Sequence, residues 1–144
     1  MSTEHIPTRM RKETISRSNG LCEYCHLPNI AFFPHEVDHV IARKHGGQTE
    51  VENLAYACFE CNRHKGSDIA SIDPETGLIT PLFNPRKQVW REHFRFENGL
   101  IVPLTPEART TIFILLLNEP NRVAERQSRP HHRRHGRNVG RPRS

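Results

Sequence analysis

The chain predicts a small α+β fold: a two-stranded hairpin and a short helix clamped together by a structural metal, followed by a second hairpin and a longer helix. Three observations predict it. Two Cys-x-x-Cys pairs, Cys22/Cys25 and Cys58/Cys61, stand 32 residues apart, a gap long enough to hold a hairpin. Asn98-Gly99, between Phe94-Arg95-Phe96 and Leu100-Ile101-Val102, is a type I′ turn signal. Thr105 followed by Pro106 is a helix N-cap with a first-turn proline.

The elements follow in order. Residues 8–18 read as a short polar helix, closed by Asn19-Gly20 in the left-handed region. The first cysteine pair forms a tight knuckle. Phe32-Phe33 and then 36–41 have the apolar, β-branched character of a strand. Residues 43–53, with Gly46-Gly47, have loop composition, and 54–57 supplies the second strand. A helix over 59–65 begins inside the second pair and ends at Gly66. Asp73 to Gly77 is a turn, with a short strand at 78–80. The helix launched at Thr105 is expected to run to about Asn118, before Pro120. Its stripe of Ala108, Ile112, Leu115 and Leu116 is widened by Phe113, Ile114 and Leu117. That points to core packing, with a dimer through residues 106–118 as the alternative.

At 144 residues the chain has the length of one domain. Only 35% is hydrophobic, against a usual value of about 45–50%, so the core is small and gains from a metal staple. Four thiolates in two short clips make a tetrahedral zinc site, closed because all four positions are filled. The first twenty residues contain no apolar run of the kind a secretory signal needs, and the longest apolar stretch, 112–117, is too short to span a membrane. A cytoplasmic, reducing location follows, where such cysteines favour metal over disulfides. The divisions expected are an N-terminal helical segment at 1–21, a core at 22–66, a supporting hairpin and helix of the same domain at 67–125, and a disordered basic tail at 126–144. The tail holds seven arginines and no acid; taking them from the 21 basic residues leaves 14 against 16 acidic ones. Basicity is therefore a property of the tail, which reads as a nucleic-acid arm or as a solubilising end.

A closed zinc site performs no chemistry, so the candidate for an open site is the pair Asp38-His39, held between the two clips. Alone the pair is ordinary surface composition. On a helix starting near Cys58, however, Asn62 and Lys65 project toward the hairpin while Cys58 and Cys61 face the zinc. Neighbouring strand residues face opposite ways, so Asp38 and His39 share a site only where the strand distorts or ends. An aspartate carboxylate and an asparagine amide oxygen are hard ligands suited to Mg²⁺ or Mn²⁺.

Together these residues resemble the HNH nuclease family, with its ββα-metal fold. The matching stretch runs from CEYC through VDHVIARKHGGQTEVENLAYACFECNRHKG, residues 22–66. The resemblance implies DNA as substrate, His39 as general base, Asp38 and Asn62 as ligands of one divalent ion (Mg²⁺ or Mn²⁺), and Asn53 as the residue that braces the loop and orients the histidine. It is the His-Asn-Asn variant, with Asn62 where a last histidine often stands. The segment from Pro81 to Arg122 resembles, more weakly, an extension found in a subset of bacterial members. Arg43, Lys44 and Lys65 are candidate phosphate contacts. The competing expectations are a zinc-stabilised nucleic-acid-binding module without catalysis, and a protein-interaction domain using helix 106–118.

Overall fold

The structure is a computed structural model and describes residues 5–29 and 33–129. Helix α1 (Thr8–Ser18) is polar along most of its length. It stops where Asn19 turns left-handed at φ 58° and its N–H caps the last turn. The helix is held by Ile6, Met10 and Thr14, of which Ile6 and Met10 pack with Val37, Leu54 and Tyr56. Arg17 adds two hydrogen bonds from its guanidinium to the carbonyls of Val51 (2.9 Å) and Leu54 (3.0 Å).

Strand β1 (Glu36–His39) pairs antiparallel with β2 (Leu54–Ala57), Glu36 opposite Ala57 and His39 opposite Leu54. The strand is shorter at both ends than the composition suggested. Phe33 lies exposed in a bend, and Pro34, which has no N–H, separates it from the ladder; Phe32 lies outside the described residues. At the other end the Ile41 N–H is taken by the Asn53 side chain rather than by a strand partner. Helix α2 (Phe59–Lys65) starts from Cys58, whose sulfur accepts a bond from the Cys61 N–H, and stops at Gly66.

Two further hairpins complete the fold, so that every sheet among the described residues has two strands. Strands β3 (Ala70–Ile72) and β4 (Ile79–Pro81) flank the Asp73 turn; β3 was not anticipated, and β4 begins one residue later than expected. A single-turn helix α3 (Trp90–His93) leads into β5 (Phe94–Glu97) and β6 (Leu100–Pro103). Asn98 and Gly99 both have positive φ (53° and 85°), as a type I′ turn requires. Trp90 packs on Phe94, Phe96 and His26 and donates to the Tyr24 carbonyl at 2.9 Å.

Helix α4 (Pro106–Leu115) is capped by Thr105, whose hydroxyl accepts from the Ala108 N–H. It ends short of 118 because Leu116 is left-handed at φ 52°. Its Ala108 and Leu115 are buried, and Phe113 is 58% exposed. Most of this helix is therefore spent on the core. That core runs from the four cysteines and Tyr24 through Phe83, Phe94, Phe96 and Ile101 to Leu115 and Leu117, so the segment after residue 67 packs into the same core as the clips. No helix among the described residues is long and apolar enough to cross a membrane.

The main correction concerns the C-terminus. The region read as tail from residue 126 overlaps a helix, α5 (Pro120–Gln127), and Arg126 is only 1% exposed. Its guanidinium donates to the Gly99 carbonyl (2.6 Å), the Leu117 carbonyl (2.7 Å) and Asn118 Oδ1 (3.0 Å). Arg129 pairs with Glu125 at 2.6 Å. Neither is an arm reaching for phosphate. The other five tail arginines, at 133, 134, 137, 141 and 143, lie outside the described residues.

Candidate active site

Four cysteines join the knuckle at residues 22–25 to the start of α2. The sulfurs of Cys22, Cys25, Cys58 and Cys61 lie within 4.8 Å of one another, all four buried, and Cys25 and Cys58 are 3.7 Å apart. A tetrahedral site with Zn–S near 2.3 Å has an S–S edge of about 3.8 Å, so the four residues fit zinc. Backbone N–H groups of Tyr24, Cys25 and Cys61 point at the sulfurs at 3.4–3.5 Å. A fifth residue, missed in the sequence, completes the surroundings. Arg122 of α5 donates to Cys61 Sγ at 3.0 Å and Cys58 Sγ at 3.6 Å, and its other amino group donates to the carbonyls of Leu115 and Leu116. Burial works against its charge, but the thiolates of Cys61, Cys25 and Cys58 outweigh that and hold it firmly protonated. A four-thiolate zinc site carries a net charge of about −2, which this guanidinium partly neutralises.

The second centre lies at the end of β1. His39 is the last residue of the strand, and there the two neighbouring side chains come together, His39 Nδ1 standing 3.8 Å from Asp38 Oδ1. Asp38 Oδ1 also accepts the His39 backbone N–H at 2.8 Å. The imidazole is buried, with Nε2 2.9 Å from the Thr49 hydroxyl and Nδ1 without a hydrogen-bond partner. Asn62, buried on α2, faces β1 as its helical spacing demands, and its amide nitrogen donates to Glu36 Oε1 at 3.1 Å. Glu36 is two residues from Asp38 and so lies on the same face of the strand. Sequence reasoning passed over it, although that spacing was the available signal.

The Asn53 side chain makes its hydrogen bonds to the loop and not to His39. Its Oδ1 accepts from the Ile41 N–H (3.0 Å), and its Nδ2 donates to the carbonyls of Ile41 and Gln48 (both 2.9 Å). It thus pins both ends of the glycine loop. Gly47 is required there because a Cβ would fall 1.8 Å from the Ile41 oxygen and 2.8 Å from Asn53 Nδ2.

The three basic candidates divide. Arg43 and Lys44 are exposed on the 3₁₀ turn Arg43–His45, open to a polyanion. Lys65 is buried, and its ammonium donates to the Val40 carbonyl at 2.8 Å. Burial lowers its pKa, partly offset by the Asp38 and Asp68 carboxylates. It joins α2 to the end of β1 and is not presented to solvent.

Residues 22–68 match the family model for the HNH endonuclease. The chain matches no curated protein and no solved structure.

Proposed function

We propose that the HNH domain makes this chain a metal-dependent endonuclease that hydrolyses phosphodiester bonds in DNA. The observation that carries the reading is the meeting of Asp38 and His39 at the end of β1, against the helix face that bears Asn62. His39 is the general base: it takes a proton from the attacking water, a role for which a neutral imidazole is suited near pH 7. Asp38 and Asn62 offer hard oxygen ligands for one Mg²⁺ or Mn²⁺. When bound, such an ion supplies positive charge to the phosphate and the leaving oxygen. Glu36 orients the Asn62 amide, Lys65 ties that helix to the strand, and Asn53 shapes the loop. Arg43 and Lys44 are placed to hold the flanking phosphates, which positions the duplex without reading its sequence.

The test is plasmid nicking by the zinc-loaded protein across divalent ions. His39→Ala should lose about 10²–10⁴-fold in rate while keeping its fold and its zinc. Nicking by that variant at the wild-type rate removes His39 from the mechanism. One observation favours a second reading, a nucleic-acid-binding module without catalysis: in the state described, both ring nitrogens of His39 are closed to solvent, one by Thr49 and one by burial. Salt-dependent DNA binding with no cleavage under any divalent ion would select it.

A further inference from the structure

Resting on the nuclease reading above, we propose that Phe33 and Phe59 form a stacking platform for an unpaired base. The preferred substrate is then DNA whose bases are unpaired beside the scissile phosphate. Phe33 is 63% exposed and Phe59 42% exposed, although both side chains are large and apolar. Their rings lie against each other, with centroids 5.7 Å apart and planes 35° from parallel. The Arg63 guanidinium stands over the Phe59 ring, 5.8 Å from its centroid. Glu60, on the same turn of α2, is met by His64 at 3.4 Å. Three flat groups, a cation and two rings, thus stand together at the surface.

Their position ties them to the candidate site. Phe59 opens α2 three residues before Asn62, so the two are neighbours on the helix surface. Phe33 stands three residues before Glu36, whose carboxylate takes the Asn62 amide at 3.1 Å. The rings therefore adjoin the face where Asp38 and Asn62 are proposed to hold the cation against the reacting phosphate. In an intact duplex the faces of the bases are occupied by their stacked neighbours, and exposed rings gain nothing from them. An unpaired base offers a free face, and an aromatic ring takes any of the four. Such a base is already out of its stack, so the cost of extruding it is avoided. The Arg63 charge favours the same ligand, a flat ring joined to a phosphate, over an apolar protein segment. Arg43 and Lys44 serve paired and unpaired DNA alike, because they would meet phosphates only.

The test measures binding by the full-length, zinc-loaded protein with no other divalent ion added. One probe is a duplex with a central bubble of unpaired bases, with 2-aminopurine in the bubble to report stacking; the other is the fully paired duplex of equal length. Wild type should hold the bubble about tenfold or more tightly and quench the 2-aminopurine. Phe33→Ala and Phe59→Ala should each weaken bubble binding about 5–100-fold and leave the paired duplex within about twofold. Phe33→Leu, which keeps apolar bulk without a ring, should lose as much as Phe33→Ala, whereas Phe33→Tyr should stay within about threefold. Equal wild-type affinity for bubble and paired duplex overturns the assignment, as does Phe33→Leu at wild-type affinity. Equal losses on both probes in Phe33→Ala would make the rings a wedge in paired DNA and overturn it as well. Cleavage by Phe33→Ala with bubble binding unchanged removes the platform and leaves the nuclease. Bubble-selective binding lost in Phe33→Ala, with no cleavage under any divalent ion, upholds the platform and removes the nuclease.

Discussion

Replacing Arg126 by alanine removes three hydrogen bonds from a side chain that is almost wholly buried. Hydrogen bonds from a charged donor are worth about 1.5–3 kcal/mol each, and the acceptors they leave, the carbonyls of Gly99 and Leu117 and the Asn118 amide oxygen, are only partly rehydrated by the cavity. Against this, alanine relieves the cost of burying a guanidinium, whose pKa burial lowers here. The net loss is about 3 kcal/mol. For a domain of this size that corresponds to a fall in melting temperature of about 10 °C. The site explains why the loss cannot be absorbed locally. Asn118 also pairs with both the N–H and the carbonyl of Ile101, and α5 packs so closely on the β5–β6 turn that a Cβ at Gly99 would fall 2.5 Å from Gln127. Arg126 therefore fastens α5, the end of α4 and the second hairpin together. Thermal unfolding followed by circular dichroism measures it, and Arg126→Lys, which keeps the charge without the planar fork, should lose about half as much. A fall of less than about 2 °C for Arg126→Ala would mean the arginine belongs to a solvated tail, as its sequence context suggests.

Three other outcomes are expected. Lys65→Met should leave the salt dependence of DNA binding unchanged and cost about 1–3 kcal/mol through the unpaired Val40 carbonyl, whereas Arg43→Ala should lower the slope of log affinity against log salt by about 0.9. Asp73 receives two hydrogen bonds from Arg109 and is held well below the ordinary aspartate range by that contact. A depressed carboxylate contributes stability that is present above about pH 4 and lost as the pH falls through its folded value, so the gap in melting temperature between wild type and Asp73→Asn should narrow below about pH 4. Stripping the metal with a strong chelator should unfold the protein cooperatively, since structural zinc binding is worth about 10–16 kcal/mol; an apo-protein that melts at the holo temperature would refute the clamp.

Much of the site was readable because its signals are local and chemically specific. Asn19, Gly66, the Asn98-Gly99 turn and Thr105-Pro106 each fix a backbone conformation that few other residues favour, and each stands where expected. The cysteine spacing likewise leaves little freedom for Asp38 and Asn62. The misses share a physical cause: they depend on tertiary partners. Helix α5, with the sequence PNRVAERQ, has only Val123 and Ala124 as apolar residues after its first proline, and the residue it buries is an arginine paired to distant carbonyls. Lys65 looks like a phosphate contact until the Val40 carbonyl is placed above it. Leu116 stops α4 in a left-handed conformation that nothing in its own side chain announces. Thr49 and Glu36 gain meaning only from what the folded hairpin sets beside them.

The distance along the chain between Arg122 and its sulfur partner has a consequence for how the protein is made. The last zinc ligand, Cys61, precedes Arg122 by 61 residues. During synthesis all four thiols leave the ribosome before the cation that neutralises them, and capture of zinc comes ahead of its sealing. The nascent clamp passes through an interval in which it is charged, exposed and exchangeable. Docking of α5, which sets the Arg122 guanidinium on the sulfurs of Cys61 and Cys58, ends that interval, so this helix acts as the latch of the metal site.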